Sequence, residues 1–436
     1  MSDPAHPPSP TYCVIPWTHV FADEQGQMRP CCMAIGDRSR ANTDADGRPH
    51  EVGRPGGITD GWNSAFMRDL RHDMLAGRRP DVCTQCFSEE DLGIRSYRQD
   101  ANVTLGAHIT GALAATAPDG TVPTTAIRSA DFRLGNQCNL RCRMCSPMSS
   151  KLLIPEWRTM FGLADDDPRM TALERINWFD SDAFWDNCVA LIPQLEKLHF
   201  AGGEPLIIPR ALDFLAQVIA AGRAQDIVLS YVTNLTTLPD RVTTLWPAFR
   251  EVKLVVSLDG YDALNTFIRF PANWQRIDTH LRALIERSAD YNCTKITVNT
   301  TVQAYNVLHL AELFEYLFAR TAPNVVPYPR LTLLSWPSAL SVCVLPADIK
   351  ALAAERLRAF VDRWNGRWPV EGAELERFTS AIDGIITHMR GSDTSSELPE
   401  FVRRTRAFDA ARGQDIRVIL PEFAPLFDEL PRTAGA

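Results

Sequence analysis

The sequence predicts an α/β protein: a partial (β/α)6 barrel preceded by a turn-rich, cysteine-bearing region and followed by a mainly helical C-terminal extension. Three observations predict it. Six short β-prone runs alternate with helical segments beyond residue 128, three cysteines follow directly on the first of those runs, and eight of the eleven cysteines fall in tight groups. Alternation of this kind marks successive βα units around a parallel sheet, and six units suit an open barrel better than a closed one of eight.

The six runs are "ADFRLG" 130–135, "KLHFAGG" 197–203, "DIVLSYVTN" 226–234, "VKLVVSLDG" 252–260, "KITVNTTVQ" 295–303 and "RLTLLSW" 330–336. They place the barrel at 128–340. Before it, residues 1–100 form an N-terminal module with one helical stretch near 62–76. The Ala-, Thr-, Gly- and Pro-rich stretch 101–127 reads as a linker or a wrapped connection. Residues 341–436 form the helical extension, with "PADIKALAAERLRAFVDRWNG" as an amphipathic helix and "GSDTSSELPE", 391–400, as an exposed break.

A chain of 436 residues, 45% apolar and 22% charged, is long enough for one large core or two to three domains. Its formal charge of -8, with no lysine or arginine run, excludes nucleic acid and an anionic membrane as expected partners. The start "MSDPAHPPSP" lacks a basic and an apolar segment in series, and nowhere do eighteen apolar residues run together. A cytoplasmic location is expected. In reducing cytosol, dense cysteines point to metal binding or redox chemistry rather than disulfides. Cys188, Cys293 and Cys343 stand alone and read as small buried hydrophobes. His199 reads as a satisfied interior residue, and Trp336 as core or a pocket wall.

"CNLRCRMC" puts Cys138, Cys142 and Cys145 in the loop after the first strand, at the end of the barrel where active sites collect. A cubane iron–sulfur cluster is normally held by four thiolates, so three leave one iron open for another ligand. The competing reading is a zinc knuckle with a remote fourth ligand.

This CxxxCxxC loop resembles the cluster motif of the radical S-adenosylmethionine (SAM) superfamily. The resemblance implies a [4Fe–4S] cluster whose open iron chelates the methionine end of SAM, and a 5′-deoxyadenosyl radical that takes a hydrogen atom from substrate. "AGGEP", 201–205, resembles the family's Gly-Gly-Glu-Pro motif. In it Gly202 and Gly203 permit close backbone approach, and Glu204 pairs with the methionine ammonium. Ser230, Thr233 and Asn234 resemble the ribose and carboxylate contacts; Ser257, Asp259, Asn299 and Thr301 occupy similar strand-end places. Arg269 resembles an arginine that pairs with the methionine carboxylate. One departure is Met144, where the family often has an aromatic residue; a methionine can cover an adenine face.

Near the N-terminus, Cys13, Gly26 and Cys31 resemble the Cx9–15Gx4C hairpin of SPASM and twitch domains, which bind auxiliary clusters. Cys83 and Cys86 in "DVCTQC" would complete four ligands for one auxiliary [4Fe–4S] cluster, with Cys32 an alternative to Cys31. A structural zinc site from the same thiolates is the other reading. The module is unusual in preceding the barrel. Ser96 and Arg98, in "RSYR", are candidates to contact the barrel or substrate. The resemblance implies a peptide or small-molecule substrate and a flavodoxin- or ferredoxin-type electron donor. It leaves three readings open: oxidative or isomerising modification of a peptide, dehydrogenation or epimerisation of an aminocyclitol or sugar, and a non-catalytic iron–sulfur protein. Were the chain an epimerase, Cys343 would be the thiol to test as hydrogen donor, although it reads as buried.

Overall fold

The computed structural model describes residues 7–34 and 42–429. The N-terminal stretch read for a signal lies largely outside them. Among the described residues eight strands form one sheet: β1 (His19–Ala22), β2 (Met28–Arg29), β3 (Ser129–Arg133), β4 (Lys197–Ala201), β5 (Val228–Thr233), β6 (Glu251–Ser257), β7 (Cys293–Val302) and β8 (Arg330–Leu333). Their order is β2-β1-β3-β4-β5-β6-β7-β8, so the six expected strands follow one another as (β/α) units do. The sheet is open, with β2 and β8 as its edges.

Two strands were not anticipated. β1 pairs with β3 in parallel and with β2 antiparallel, so the N-terminal hairpin extends the barrel sheet. "HVFA" is four residues long and buried throughout, so it shows no alternation to read. Its strand conformation comes from the pairing with β3. The hairpin turn is set locally: Asp23 accepts from the Gln25 and Gln27 amides at 3.0 Å each, and Gly26 adopts φ +78°.

By contact density the chain divides into two compact units. The first comprises Met1–Gln137, Arg175–Tyr231 and Arg241–Val252; the second comprises Cys138–Glu174, Val232–Asp240 and Lys253–Ala436. In the first unit, Ala130, Phe132, Leu198, Phe200, Leu229 and Tyr231 are buried on one face of the sheet. The helix Pro209–Ala220 buries Ala211, Leu212, Leu215 and Val218, the spacing of one helical stripe. The other sheet face carries Ser129, Asp131, Arg133, His199 and Ser230, because paired residues of parallel strands point to the same side. The stretch 101–127 is a packed connection: helices Tyr97–Thr104 and Ile109–Ala114 bury Ala101, Ile109 and Ala112.

In the second unit β6 alternates along its length, and β7 does so from Ile296 onward, with Leu254, Val256, Val298 and Val302 buried. The helices Ala347–Trp364 and Gly372–Gly391 close an aromatic cluster, with Phe314 at 5.2 Å from Phe360 and 5.1 Å from Phe378 between ring centres. Trp336 is 60% exposed and so is not core, one of the two places expected for it. It follows β8, an edge strand among the described residues, and its ring centre lies 6.4 Å from that of Trp157. Among the described residues no helix is long and apolar enough to cross a membrane.

Candidate functional site

The three-cysteine loop belongs to the second unit. Cys142 is buried, while Cys138 and Cys145 are half-buried. Two backbone bonds pin the loop to the segment ahead of a proline: Arg141 N donates to Phe270 O (2.6 Å) and Arg143 N to Ile268 O (2.8 Å). The hydrogen bond from Cys145, followed by the charges of Arg269 and Arg412, holds the Cys142 thiol below its ordinary range against burial and Asp259. The same hydrogen bond, with burial, raises Cys145 well above the ordinary thiol range, so Cys142 is the member of the pair held toward the thiolate, the form that binds metal.

Arg143, between the second and third cysteines, is the most heavily engaged side chain nearby. Its guanidinium is 0% exposed and 3.6 Å from the Phe267 ring centre. It donates to Phe267 O (3.0 Å), Asp409 (2.5 Å) and Gln414 (2.9 Å). Arg141 and Arg412 both reach Glu156, at 2.9 and 2.7 Å. The helix Leu398–Arg412, read from sequence as an extension, thus supports the cysteine loop. These arginines were visible in "CNLRCRMC", but Asp409 lies 266 residues away and no local pattern announces it.

Most of the residues carried over from the resemblance have definite places in this unit. Asn234 bridges to the loop, with Nδ2 at 3.9 Å from Cys138 Sγ and 2.9 Å from Asn139. Thr233 accepts from the Leu235 amide at 3.0 Å. Asp259 and Arg269 pair with each other at 2.7 Å, and Asp259 also accepts from the Thr301 amide at 2.8 Å. Burial raises the Asp259 carboxyl above its usual range despite Arg269. Ser257, Asn299 and Thr301 are part-exposed at or near strand ends, and Met144 is buried in the loop.

In the first unit "AGGEP" turns out of β4. Gly202 has φ +78°, and a Cβ on Gly203 would meet the Gln137 carbonyl at 2.2 Å. Only glycine fits this close approach. Glu204 donates its N–H to Gln137 O (2.9 Å), the residue just before Cys138, and its carboxylate accepts from the Leu206 amide at 3.2 Å. Ser230 lies inside β5 and bonds His199 Nδ1 at 2.8 Å. His199 is therefore satisfied as expected, as is Cys343, 2% exposed with its sulfur on His388 O.

The N-terminal cysteines converge in this unit. Cys13, Cys31, Cys83 and Cys86 line one small cavity with Met33, Val82, Tyr97 and Arg98. Cys32 is absent from that lining. Its thiol takes a hydrogen bond from Tyr97 and feels Asp131 and Arg133, while burial pushes it up to about 11. Arg98 is clamped by Glu90 at 2.5 Å and donates to Tyr12 O (2.6 Å), beside Cys13. Ser96 caps its helix and also bonds Glu90, so both residues of "RSYR" brace the cysteine cavity. Four thiols around one cavity suit a closed cluster, and three on a loop suit an open one. Among the described residues no three His, Cys, Asp or Glu side chains are drawn together tightly enough to hold a metal ion. Were the auxiliary cluster that the resemblance implies held in this cavity, Cys31→Ser would lower bound iron by about four per chain and Cys32→Ser would leave it unchanged; ferrozine assay of reconstituted protein measures both.

No protein-family profile matches the chain. The chain is 25% identical over 184 residues to a GTP 3′,8-cyclase of Nostoc punctiforme, covering 41% of this chain and 50% of the relative. It thus spans about half the length of the curated relative it matches. Among solved structures, anSMEcpe with bound AdoMet aligns at TM-score 0.35 and 13% identity, over 55% of this chain and 61% of that one. SuiB of Streptococcus suis bound to its precursor peptide SuiA aligns at TM-score 0.30 and 11% identity, over 55% and 50%. The chain is thus similar over part of its length to a GTP 3′,8-cyclase, and its cysteine loop after β3 and Gly-Gly-Glu turn after β4 stand where the resemblance to the radical SAM superfamily expects them.

Proposed function

We propose that the protein is a radical SAM enzyme acting on a peptide, by crosslinking, epimerisation or dehydrogenation. One observation carries the radical SAM part. Three thiols sit on the loop after β3, and the residue before them is hydrogen-bonded to the Glu204 amide of the turn after β4. A [4Fe–4S] cluster held there would supply an open iron and one electron, with which the C5′–S bond of SAM would break to methionine and a 5′-deoxyadenosyl radical, the latter becoming 5′-deoxyadenosine on taking a hydrogen atom from substrate.

The chain's own residues do the rest. Cys138, Cys142 and Cys145 donate thiolates. Gly202 and Gly203 let backbone approach the methionine end of SAM, and Glu204 takes its ammonium. Arg269, steered by Asp259, answers the carboxylate. Ser230, Thr233, Asn234, Ser257, Asn299 and Thr301 supply polar contacts, and Met144 covers the adenine. Cys13, Cys31, Cys83 and Cys86 hold an auxiliary cluster in a twitch-like module spanning residues 1–100, and a flavodoxin- or ferredoxin-type protein delivers electrons.

The peptide assignment rests on the resemblance to SPASM and twitch proteins. A second reading, dehydrogenation or epimerisation of an aminocyclitol or sugar, is favoured by the polar face carrying Asp131, Arg133, His199 and Ser230. Iron and acid-labile sulfide, with reduced-state EPR, test the cluster assignment. Roughly eight irons, falling to roughly four in the Cys138/Cys142/Cys145→Ala variant, support two cubanes. Zinc retained with no iron in that variant overturns the auxiliary cluster. Binding of iron without SAM cleavage supports a non-catalytic protein instead.

A further inference from the structure

Two of the ion pairs around the cysteine loop are balanced. Arg143 has Asp409, and Arg269 has Asp259. The third group is not. Glu156 Oε1 accepts from Arg141 (2.9 Å) and from Arg412 Nε (3.1 Å), while Oε2 accepts from Arg412 at 2.7 Å. Two guanidiniums on one carboxylate leave a positive charge in excess. The group is largely buried: the Arg412 side chain is 0% exposed, Glu156 5% and Arg141 31%. Arg412 lies over the Phe408 ring at 4.2 Å, and Arg141 and Arg412 flank Phe270 at 4.9 and 5.1 Å. Arg412 Nη1 makes no hydrogen bond. Burying an unmatched cation is expensive, so such a group implies a negative charge nearby.

The reading of the loop as a cluster site, on which this inference rests, supplies that charge. A [4Fe–4S]2+ core with three thiolates carries a net negative charge, and reduction adds another. We infer that the Arg141–Glu156–Arg412 group is the counter-charge of the barrel cluster, and that it sets the cluster's reduction potential while latching the C-terminal helix to the cysteine loop. These are positioning and tuning residues; none is a ligand. Net charge around a cluster is one of the main determinants of its potential. Arg141 is the residue immediately before Cys142 and bonds Glu156 at 2.9 Å, so the chain itself places the group beside the loop thiols.

The sign of the effect separates tuning from simple structural damage. Arg412→Met removes a positive charge and is expected to shift the midpoint to more negative potential. Glu156→Gln leaves both guanidiniums unopposed and is expected to shift it positive. Arg412→Lys keeps the charge and should stay near wild type. The experiment is an EPR-monitored redox titration of the full-length reconstituted protein, following the signal that changes on addition of SAM. Shifts of the same sign in Arg412→Met and Glu156→Gln, or no shift in either, overturn the inference. Should Arg412→Met lose its iron, the part-exposed Arg141→Met takes its place, with the same negative shift expected; an unchanged potential there overturns it. A wild-type protein that binds no iron at the loop instead refutes the cluster reading itself, and the inference with it.

Discussion

Cys142→Ala is expected to abolish formation of 5′-deoxyadenosine from SAM under reducing, anaerobic conditions. Cys142 is the buried member of the loop and the thiol held toward its anionic form. A cubane left with two protein thiolates in place of three is lost or can no longer present an open iron. The same loss is expected for Cys138→Ala and Cys145→Ala. Changes at Cys83 or Cys86 should spare this uncoupled cleavage, because those thiols line the N-terminal four-cysteine cavity and are not part of the loop, and should impair substrate turnover or folding instead. The product is quantified by chromatography after reduction without added substrate. Deoxyadenosine from the Cys142→Ala protein at the wild-type rate would remove the loop from the chemistry.

Arg143→Met should be the most damaging substitution outside the cysteines. The methionine fills similar space but gives up bonds to Phe267 O, Asp409 and Gln414 together with the stack on Phe267. It leaves Asp409, 13% exposed, without its cation. Breaking one partner from a buried pair costs about 3–5 kcal/mol. Chemical denaturation of the cluster-free protein measures the loss. The reconstituted variant should also bind less iron, since the Arg143 side chain ties the loop to Phe267 O, Asp409 and Gln414. A stability change below about 1 kcal/mol, within the range of exposed ion pairs, would show that the pair is solvated in solution.

Much of this was readable before any coordinates. Each of the six strand runs became a strand, because apolar alternation between turn signals specifies a half-buried strand locally. The loop cysteines and "AGGEP" were legible for a related reason: residues a few positions apart at the end of a strand must stay close in space. Arg143, Glu156 and Arg412 were not legible in these roles. Their partners lie far along the chain, and a buried arginine looks like any other until its counter-ion is located. That Trp336 is exposed rather than core was hidden for the converse reason, since an aromatic residue looks like core until the strand it follows proves to be an edge.

Cys31 and Cys32 show where the division falls. Sequence by itself determined the chemistry available to this protein: three thiols on one loop, four or five more before the barrel, and a glycine–glycine–glutamate turn. It could not choose between two adjacent cysteines, because composition and spacing treat them alike. Tertiary structure decided that Cys31 lines the four-cysteine cavity while Cys32 faces Tyr97, Asp131 and Arg133. It also joined the N-terminal hairpin to the barrel sheet through β1 and β3. The physical reason is the same in both cases: local sequence sets which side chains a segment carries, but the direction each points is settled by the backbone pairing and burial that distant segments impose.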